Sequence, residues 1–356
     1  MIRGWIRIRT IICDFKVVVF VFKMMCVVCL SLSQSAGETL PVPPGSPESD
    51  FSASDVAALA WTATVFGDAA NVPSCVVHKA HPSADACTPQ VQSRGGMEAK
   101  WRGLYKRRWT SLRSAMGGGA RRRWFGLRKP AEPYPRVLVF GDSLLENGFG
   151  ASLWGKPCRN CLPMRNAWYA ALGSRGSWRA APEASGGLDV TSQFAVASFA
   201  TANECTQHSI WQIRQLVSSA KSELAKRVKK VVICIGTNNL GICKQDVNST
   251  VDGVTAIVQG ALASFPQAHV ALLGLIPRGM PINGQPRKFR EEIDQVNSAL
   301  SKLESDRIAF ADCTAALIDG RGQTNAQLYG GGLLHPNEKG HKAWSKCAQK
   351  ALRMKI

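Results

Sequence analysis

From Arg136 to the end of the chain, short apolar runs alternate with stretches whose apolar residues recur at helical spacing. The short runs predict buried strands, and the periodic stretches predict amphipathic helices. Strands that alternate with helices form a parallel sheet covered on both faces, so the sequence predicts an α/β fold, a three-layer αβα sandwich. The predicted strands are 137–140, 230–235, 269–276 and 308–310, and the predicted helices are 211–227, 251–263, 289–303 and 338–352.

Residues 1–36 predict a signal peptide or a signal-anchor. Basic residues precede an apolar run at 17–32 that Lys23 interrupts, and small residues follow at Ser33 and Ala36. The run is shorter than the roughly 20 apolar residues that a membrane span needs. We therefore predict entry into the secretory pathway, with the product either secreted or anchored by an uncleaved N-terminal segment.

The region between this leader and Arg136 is predicted to be largely irregular. Residues 37–99 are rich in Pro, Ala and Ser and form a predicted linker, and residues 100–130 form a basic arm. Eleven Lys or Arg and no acidic residue occur in 100–129, in a chain of net charge +19. This charge predicts attraction to an anionic surface or acidic polysaccharide. Nucleic acid is disfavoured because the leader directs the chain elsewhere, and a solvated, flexible arm is the simpler interpretation.

The twelve cysteines also indicate an oxidising compartment. Three lie in the leader, and Cys234, inside an apolar run, is predicted to be a reduced core residue. The pairing of the others is open, and no second ligand pair at zinc spacing accompanies the Cys-x-x-Cys at 158–161, so no metal or cofactor is predicted. The eight remaining cysteines form an even set: Cys75, Cys87, Cys158, Cys161, Cys205, Cys243, Cys313 and Cys347.

Three short motifs carry residues suited to nucleophilic catalysis. Gly-Asp-Ser-Leu at 141–144 and Gly-Thr-Asn-Asn at 236–239 each follow a predicted strand, and His-Pro-Asn at 335–337 precedes the last helix. Ligand sites in parallel sheets lie beyond the carboxyl ends of the strands. Taken singly, the motifs also suit a helix N-cap, a turn and a structural histidine.

In this order the three motifs resemble the SGNH (GDSL) hydrolase superfamily over residues 136–356. The resemblance is sharpest to the alpha-subunit group of platelet-activating factor acetylhydrolases and to related carbohydrate acetylesterases, along 232–239, 266–268 and 273–279. It implies the flavodoxin-like SGNH hydrolase fold. It also implies a serine esterase that needs no cofactor. The substrate would be a short-chain ester of a carbohydrate, lipid or small metabolite, with acetyl as the favoured acyl group.

Position by position, the resemblance implies that Ser143 is the nucleophile and His335 its base. The oxyanion hole would consist of the backbone N–H of Ser143, the backbone N–H of Asn203 and the side chain of Asn238. The family has glycine at the position of Asn203, and asparagine tolerates the left-handed backbone better than most residues.

The chain departs from the family at the triad acid, because Gly332 stands where an aspartate three residues before the histidine is expected. A backbone carbonyl near Gly332 could orient His335 and leave a Ser–His dyad, or Asp319 or Asp312 could replace the acid. Alternatively, catalysis is lost and the chain is a binding protein for acylated or glycan ligands. We favour the working dyad.

A second departure is an insertion at about 150–188, beside the predicted nucleophile. It contains three tryptophans and the Cys-x-x-Cys pair. The insertion predicts either a lid over the acyl or alcohol pocket or a decorated surface loop.

Overall fold

The alternation after Arg136 folds as predicted, around one central sheet. In the computed structural model, all of the described residues belong to one compact unit. The predicted leader, most of the predicted linker and the end of the basic arm lie outside them. The structure describes residues 82–92, 96–117, 136–173, 188–189, 196–219, 222–279 and 288–354.

The sheet of the described residues has six strands, five of them parallel. The strands, including a two-stranded ribbon β2–β3, are β1 (Val137–Gly141), β2 (Ala151–Ser152), β3 (Lys156–Pro157), β4 (Leu188–Asp189), β5 (Val196–Ser198), β6 (Lys230–Cys234), β7 (His269–Leu273) and β8 (Ile308–Ala311). Their order is β4-β5-β1-β6-β7-β8, with β4 antiparallel at the edge. β1, β5 and β6 are buried throughout because helices cover both faces, which is why these strands read as continuous apolar runs. The predicted parallel sheet is confirmed.

Helices pack on both faces of the sheet. They are α1 (Ala84–Cys87), α2 (Glu98–Gly117), α3 (Ser143–Gly148), α4 (Leu162–Ala171), α5 (Thr206–Ser219), α6 (Ser222–Arg227), α7 (Thr237–Gly241), α8 (Val247–Ser264), α9 (Arg290–Ser301) and α10 (Glu338–Leu352). α5, α8 and α9 lie on one face, and α4 and α10 on the other. Leu138 and Phe140 of β1 enter the first core, and Val137 and Val139 enter the second, since alternate strand residues point to opposite faces. The three-layer sandwich is confirmed.

The helix predicted over 211–227 is wrong at its start, and its described residues lie in α5 and α6. α5 begins five residues earlier than predicted, at Thr206.

The first part of the insertion belongs to the second face of the sandwich. α4 buries Trp168 completely, and its ring centroid lies 4.9 Å from that of Trp344 in α10. The Trp168 indole N–H also donates to Nδ1 of His341, at 3.2 Å. α4 is therefore part of the packed domain and is neither a lid nor a surface loop. Residues 174–187 of the insertion lie outside the described part.

The basic arm is also different from the expectation, because its described part is the helix α2 and not a solvated, flexible segment. Four of its side chains at helical spacing are buried: Trp101, Leu104, Arg108 and Leu112. Lys100, Arg102, Lys106 and Arg107 stay exposed on the other side. The dense positive charge hid this apolar stripe from a composition-based interpretation. α1, from the predicted linker, also packs on the domain, where its Ala86 carbonyl accepts from the Thr206 hydroxyl at 2.8 Å.

Three disulfides join described cysteines, and they indicate an extracellular or secretory location. Cys87 is disulfide-bonded as well, and Cys234 is buried and reduced, as predicted. Within the described ranges, no helix has both the length and the apolar character to cross a bilayer. The three disulfides are Cys158–Cys161, Cys205–Cys243 and Cys313–Cys347.

Candidate active site

The Gly-Asp-Ser-Leu motif forms the turn from β1 into α3, at the carboxyl edge of the sheet. The Asp142 carboxylate caps α3 by accepting from the Leu144 N–H at 2.9 Å. Ser143 is the first residue of α3 and is only 6% exposed. The N–H of a first helical residue has no partner within its helix, and no described residue accepts this one. It is therefore available to an oxygen atom bound beside the Ser143 hydroxyl.

The His-Pro-Asn motif lies in the loop that leads into α10. Nε2 of His335 is 2.9 Å from Oγ of Ser143, although the two residues are 192 positions apart. Asn337 caps α10 through the Gly340 N–H at 3.1 Å, and its side-chain N–H donates to the Tyr329 carbonyl at 3.1 Å. The asparagine thus fixes the loop on both sides of His335, so the histidine faces Ser143.

Two asparagines follow the strands next to β1. Asn203 has a positive φ of 65°, in the left-handed region that glycine and asparagine adopt more easily than other residues. No described residue accepts a hydrogen bond from its backbone N–H. Nδ2 of the buried Asn238 donates to the Glu204 carbonyl at 3.0 Å and carries a second hydrogen. The Cys205–Cys243 disulfide joins the two segments. Both asparagines therefore lie on one braced unit beside the end of β1.

Gly236 makes the turn that places Asn238. Its φ of 129° is one that residues with a side chain rarely adopt, and an added Cβ would lie 3.0 Å from Cγ2 of Thr250. The glycine of the second motif is therefore required by the backbone between β6 and α7.

The model of the GDSL-like Lipase/Acylhydrolase family matches residues 139–343, more than half of the chain. The chain belongs to this family. The match runs from within β1 of the GDSL-like domain into its closing helix, and it includes Ser143, Asn203, Asn238 and His335.

Similarity to individual relatives of this GDSL-like chain is partial. The chain is 36% identical over 105 residues to platelet-activating factor acetylhydrolase IB subunit alpha1 of Homo sapiens, and the match covers 29% of this chain and 42% of that protein. The chain is 28% identical over 131 residues to the platelet-activating factor acetylhydrolase IB subunit beta homolog of Drosophila melanogaster. That match covers 37% of this chain and 52% of the fly protein. The chain thus spans about half the length of these relatives.

Solved structures of low sequence identity align over more of the GDSL-like chain. A GDSL-like lipase from Bacteroides thetaiotaomicron has a TM-score of 0.44 at 15% identity, covering 70% of this chain and 97% of that one. A carbohydrate esterase family 3 protein from Talaromyces cellulolyticus has a TM-score of 0.39 at 16% identity, covering 62% and 96%.

The two carboxylates predicted as substitutes for the triad acid are engaged elsewhere. Asp312 accepts from the Thr314 N–H at 2.9 Å, and Asp319 accepts from the Gln323 N–H at 2.9 Å. Across the ranges that the structure describes, no carboxylate makes a hydrogen bond to His335. Gly332 itself is exposed in the loop before the histidine.

Arg278, in the loop after β7, shapes the electrostatics of the site. Its guanidinium donates to the Thr237 carbonyl at 3.1 Å, which holds it beside α7. Burial lowers the pKa of His335, and the positive charge of Arg278 lowers it further. Burial raises the pKa of Asp142 to about 7, an effect that Arg278 opposes. The site therefore favours a neutral imidazole, the form that can accept a proton.

We expect esterase activity to persist below the ordinary histidine pKa of about 6.5. A base works when deprotonated, so with His335 as the base kcat/KM should fall as pH drops through the His335 pKa, which burial and Arg278 hold low. Arg278→Gln should move the acidic limb of the pH profile upward, whereas Lys302→Gln, which removes an exposed cation at the end of α9, should leave it in place. A wild-type midpoint above 7 would contradict this assignment.

Sequence reasoning missed a group of buried charges beside the candidate site. Arg108, Glu146 and Glu204 are each at most 4% exposed, and Arg108 forms an ion pair with Glu146. The available signal was the position of Glu146 three residues after Ser143, inside an otherwise apolar turn of helix. Charged residues are rarely buried without a partner, so a buried glutamate at this position needs a nearby cation, and the sequence analysis identified neither the burial nor the cation.

Proposed function

We propose that this chain is a serine esterase that hydrolyses a short-chain acyl ester, acetyl being the favoured acyl group, through an acyl-enzyme. The observation that carries the proposal is the 2.9 Å approach of Ser143 Oγ to His335 Nε2. The unpaired backbone N–H of Ser143 lies at the same strand end. A nucleophile, its base and an oxyanion donor are the elements that acyl transfer needs.

The reaction begins when Ser143 Oγ attacks the ester carbonyl and His335 Nε2 takes the hydroxyl proton. The carbonyl oxygen becomes an oxyanion, which accepts hydrogen bonds from the N–H groups of Ser143 and Asn203 and from Asn238 Nδ2. The C–O bond to the alcohol breaks, and His335 returns the proton to the departing alcohol. Water then attacks the acyl-enzyme with His335 again as base, which releases the acid and restores the serine.

This scheme uses a Ser–His dyad, in which Gly332 leaves the imidazole without the family's aspartate. In a serine protease, replacing the orienting acid by its amide lowers kcat by roughly 10⁴, mainly by favouring the wrong tautomer. Each oxyanion donor contributes roughly 10² to 10³ in kcat, so a dyad beside an intact oxyanion hole still gives a slow enzyme.

The acetyl preference follows the resemblance to acetylhydrolases, a name that the human and fly relatives also carry. The leaving alcohol would be a carbohydrate, a lipid or a small metabolite. The proposal requires no metal or cofactor, because its nucleophile, base and oxyanion donors are all protein groups.

The test is hydrolysis of aryl esters from acetyl to octanoyl by the full chain, together with labelling by a fluorophosphonate. We expect kcat/KM to fall with acyl length and one phosphonate to bond to Ser143, as located by mass spectrometry. The variant Ser143→Ala tests the serine itself. Its matched control is Ser301→Ala, which removes an exposed serine at the end of α9 and should behave like the wild type. A folded wild-type chain without hydrolysis or labelling would sink the proposal.

One observation favours a second candidate, a binding protein for acylated or glycan ligands. Among the described residues His335 has no carboxylate partner, which would weaken the general base. A binder would hold an acylated ligand without consuming it and would leave Ser143 unlabelled, so the same experiment separates the two candidates.

We propose further that the chain acts in the secretory pathway or outside the cell, and that exposed cations of α2 attract an anionic surface or acidic polysaccharide. The disulfides support the location, and Lys100, Lys106 and Arg107 supply the charge. Retention on a heparin column should weaken steeply as salt rises, because ions screen exposed charges. Retention that ignores salt would contradict this role.

A further inference from the structure

Helix α2 inserts a guanidinium into the interior beside the candidate oxyanion loop, residues 199–205. Arg108 is 4% exposed, and its Nη1 donates to Oγ1 of Thr201 at 2.5 Å. Its Nη2 donates to Oε1 of Glu146 at 3.3 Å, and this ion pair is almost fully buried. One side chain of α2 therefore contacts both the loop and the helix that begins with Ser143.

The carboxylate of Glu146 extends this contact to the residue before Asn203. Oε2 accepts from the Ala202 N–H at 2.8 Å, and Oε1 accepts from the Gly155 N–H at 2.6 Å. Glu146 belongs to α3, so it ties the nucleophile's helix to the candidate oxyanion loop. The position of the Asn203 amide relative to Ser143 thus depends on where this carboxylate is held.

A second residue of α2 fixes the other side of Asn203. The indole N–H of Trp101 donates to Oε1 of Glu204 at 2.8 Å. Gln212 Nε2 donates to the same oxygen at 2.8 Å, and the hydroxyl of Ser209 donates to Oε2 at 3.3 Å. Both neighbours of Asn203 are therefore held by groups that α2 contacts.

The charge balance of this cluster depends on Arg108. Burial raises the pKa of Glu146 and of Glu204, and the positive charge of Arg108 opposes the rise at both carboxyls. A buried carboxylate without a cation either binds a proton or shifts toward water. Loss of Arg108 would thus disturb both carboxyls that flank Asn203.

We propose that Arg108 is a positioning residue for the oxyanion hole, which through Glu146 and Thr201 holds the Asn203 amide in register with Ser143. The proposal rests on the proposed esterase function. It makes α2, outside the alternating strands and helices, a working part of the active site. Arg108 contacts no reacting atom, so its effect is on geometry alone.

The test compares Arg108→Met with Arg227→Met, which removes the same charge from an exposed arginine at the end of α6. Phosphonate titration counts active sites, steady-state kinetics on an aryl acetate gives kcat and KM, and a trifluoromethyl ketone probes binding of a tetrahedral oxyanion. We expect Arg108→Met to lower kcat per titrated site by about 10- to 100-fold, with KM nearly unchanged, since one misplaced oxyanion donor affects the transition state alone. Ketone affinity should fall by a similar factor, and Arg227→Met should match the wild type.

Two further variants keep the proposal falsifiable if Arg108→Met does not fold. Arg108→Lys keeps the charge but loses the planar fork, so kcat per site should still fall. Arg108→Met combined with Glu146→Gln removes both charges and should restore folding while kcat stays low.

Each outcome has one interpretation. Unchanged kcat per site and ketone affinity in a folded Arg108 variant would overturn the positioning role while leaving the esterase intact. A fall in the number of titrated sites alone would show a structural role and would also overturn it. A wild type that neither hydrolyses the ester nor binds the ketone would defeat the proposed function itself.

Discussion

Gly332→Asp is expected to raise kcat for aryl acetate hydrolysis by about 10- to 10³-fold. The substitution places a carboxylate three residues before His335, where the resemblance to SGNH hydrolases implies the triad acid. An added Cβ at Gly332 meets no atom within 4 Å, and its backbone is outside the left-handed region, so the side chain fits without strain. The gain should stay below the roughly 10⁴ that a native acid provides, because the new carboxylate lacks supporting contacts.

Two controls separate an orienting carboxylate from other effects. Gly332→Asn has nearly the same shape without the charge and should give no comparable gain. Gly331→Asp puts the same charge one residue away, at another position where an added Cβ is unobstructed, and should also give little. A paired carboxylate also stabilises the imidazolium, so the acidic limb of the pH profile should move upward in Gly332→Asp alone. Equal gains from both aspartates would point to a general charge effect.

Ser143→Ala is expected to lower kcat by only about 10²-fold in the wild-type background. In subtilisin, loss of the serine lowers kcat by about 2 × 10⁶ and loss of the aspartate by about 3 × 10⁴. These effects are not additive, since the three residues act as a unit. We therefore expect the proposed Ser–His dyad to have a factor of about 10² in kcat left to lose.

The same substitution should be more damaging once the acid is restored. In the Gly332→Asp background, Ser143→Ala should lower kcat by about 10³- to 10⁵-fold, to the same residual rate as Ser143→Ala alone. The four rates of this double-mutant cycle are measured on one aryl acetate, with folding checked by circular dichroism. A fall of 10⁵ or more in the wild-type background would instead show that another group already orients His335.

The sequence determined the sheet and the positions of the motifs. The sequence predicts β1 and β6 because strands that are buried on both faces carry apolar residues throughout. It predicts the helix at 338–352 because the apolar residues of a helix packed on a sheet recur at a fixed period. Motifs that directly follow such strands must share the carboxyl edge of the sheet. The sequence therefore placed Ser143 and Asn238 together without any distance being known.

The way in which distant segments meet at the candidate site follows from the tertiary fold and not from any local pattern. The 2.9 Å approach of His335 to Ser143 depends on a loop that Asn337 holds, and the role we propose for α2 depends on the buried ion pair of Arg108 with Glu146. A local pattern shows which face of a segment is apolar, but not which partner covers it. The sequence of a basic stretch therefore does not show which of its cations is buried. The burial of Arg108 depends on carboxylates that are 38 or more residues away in the sequence and that only the fold brings near.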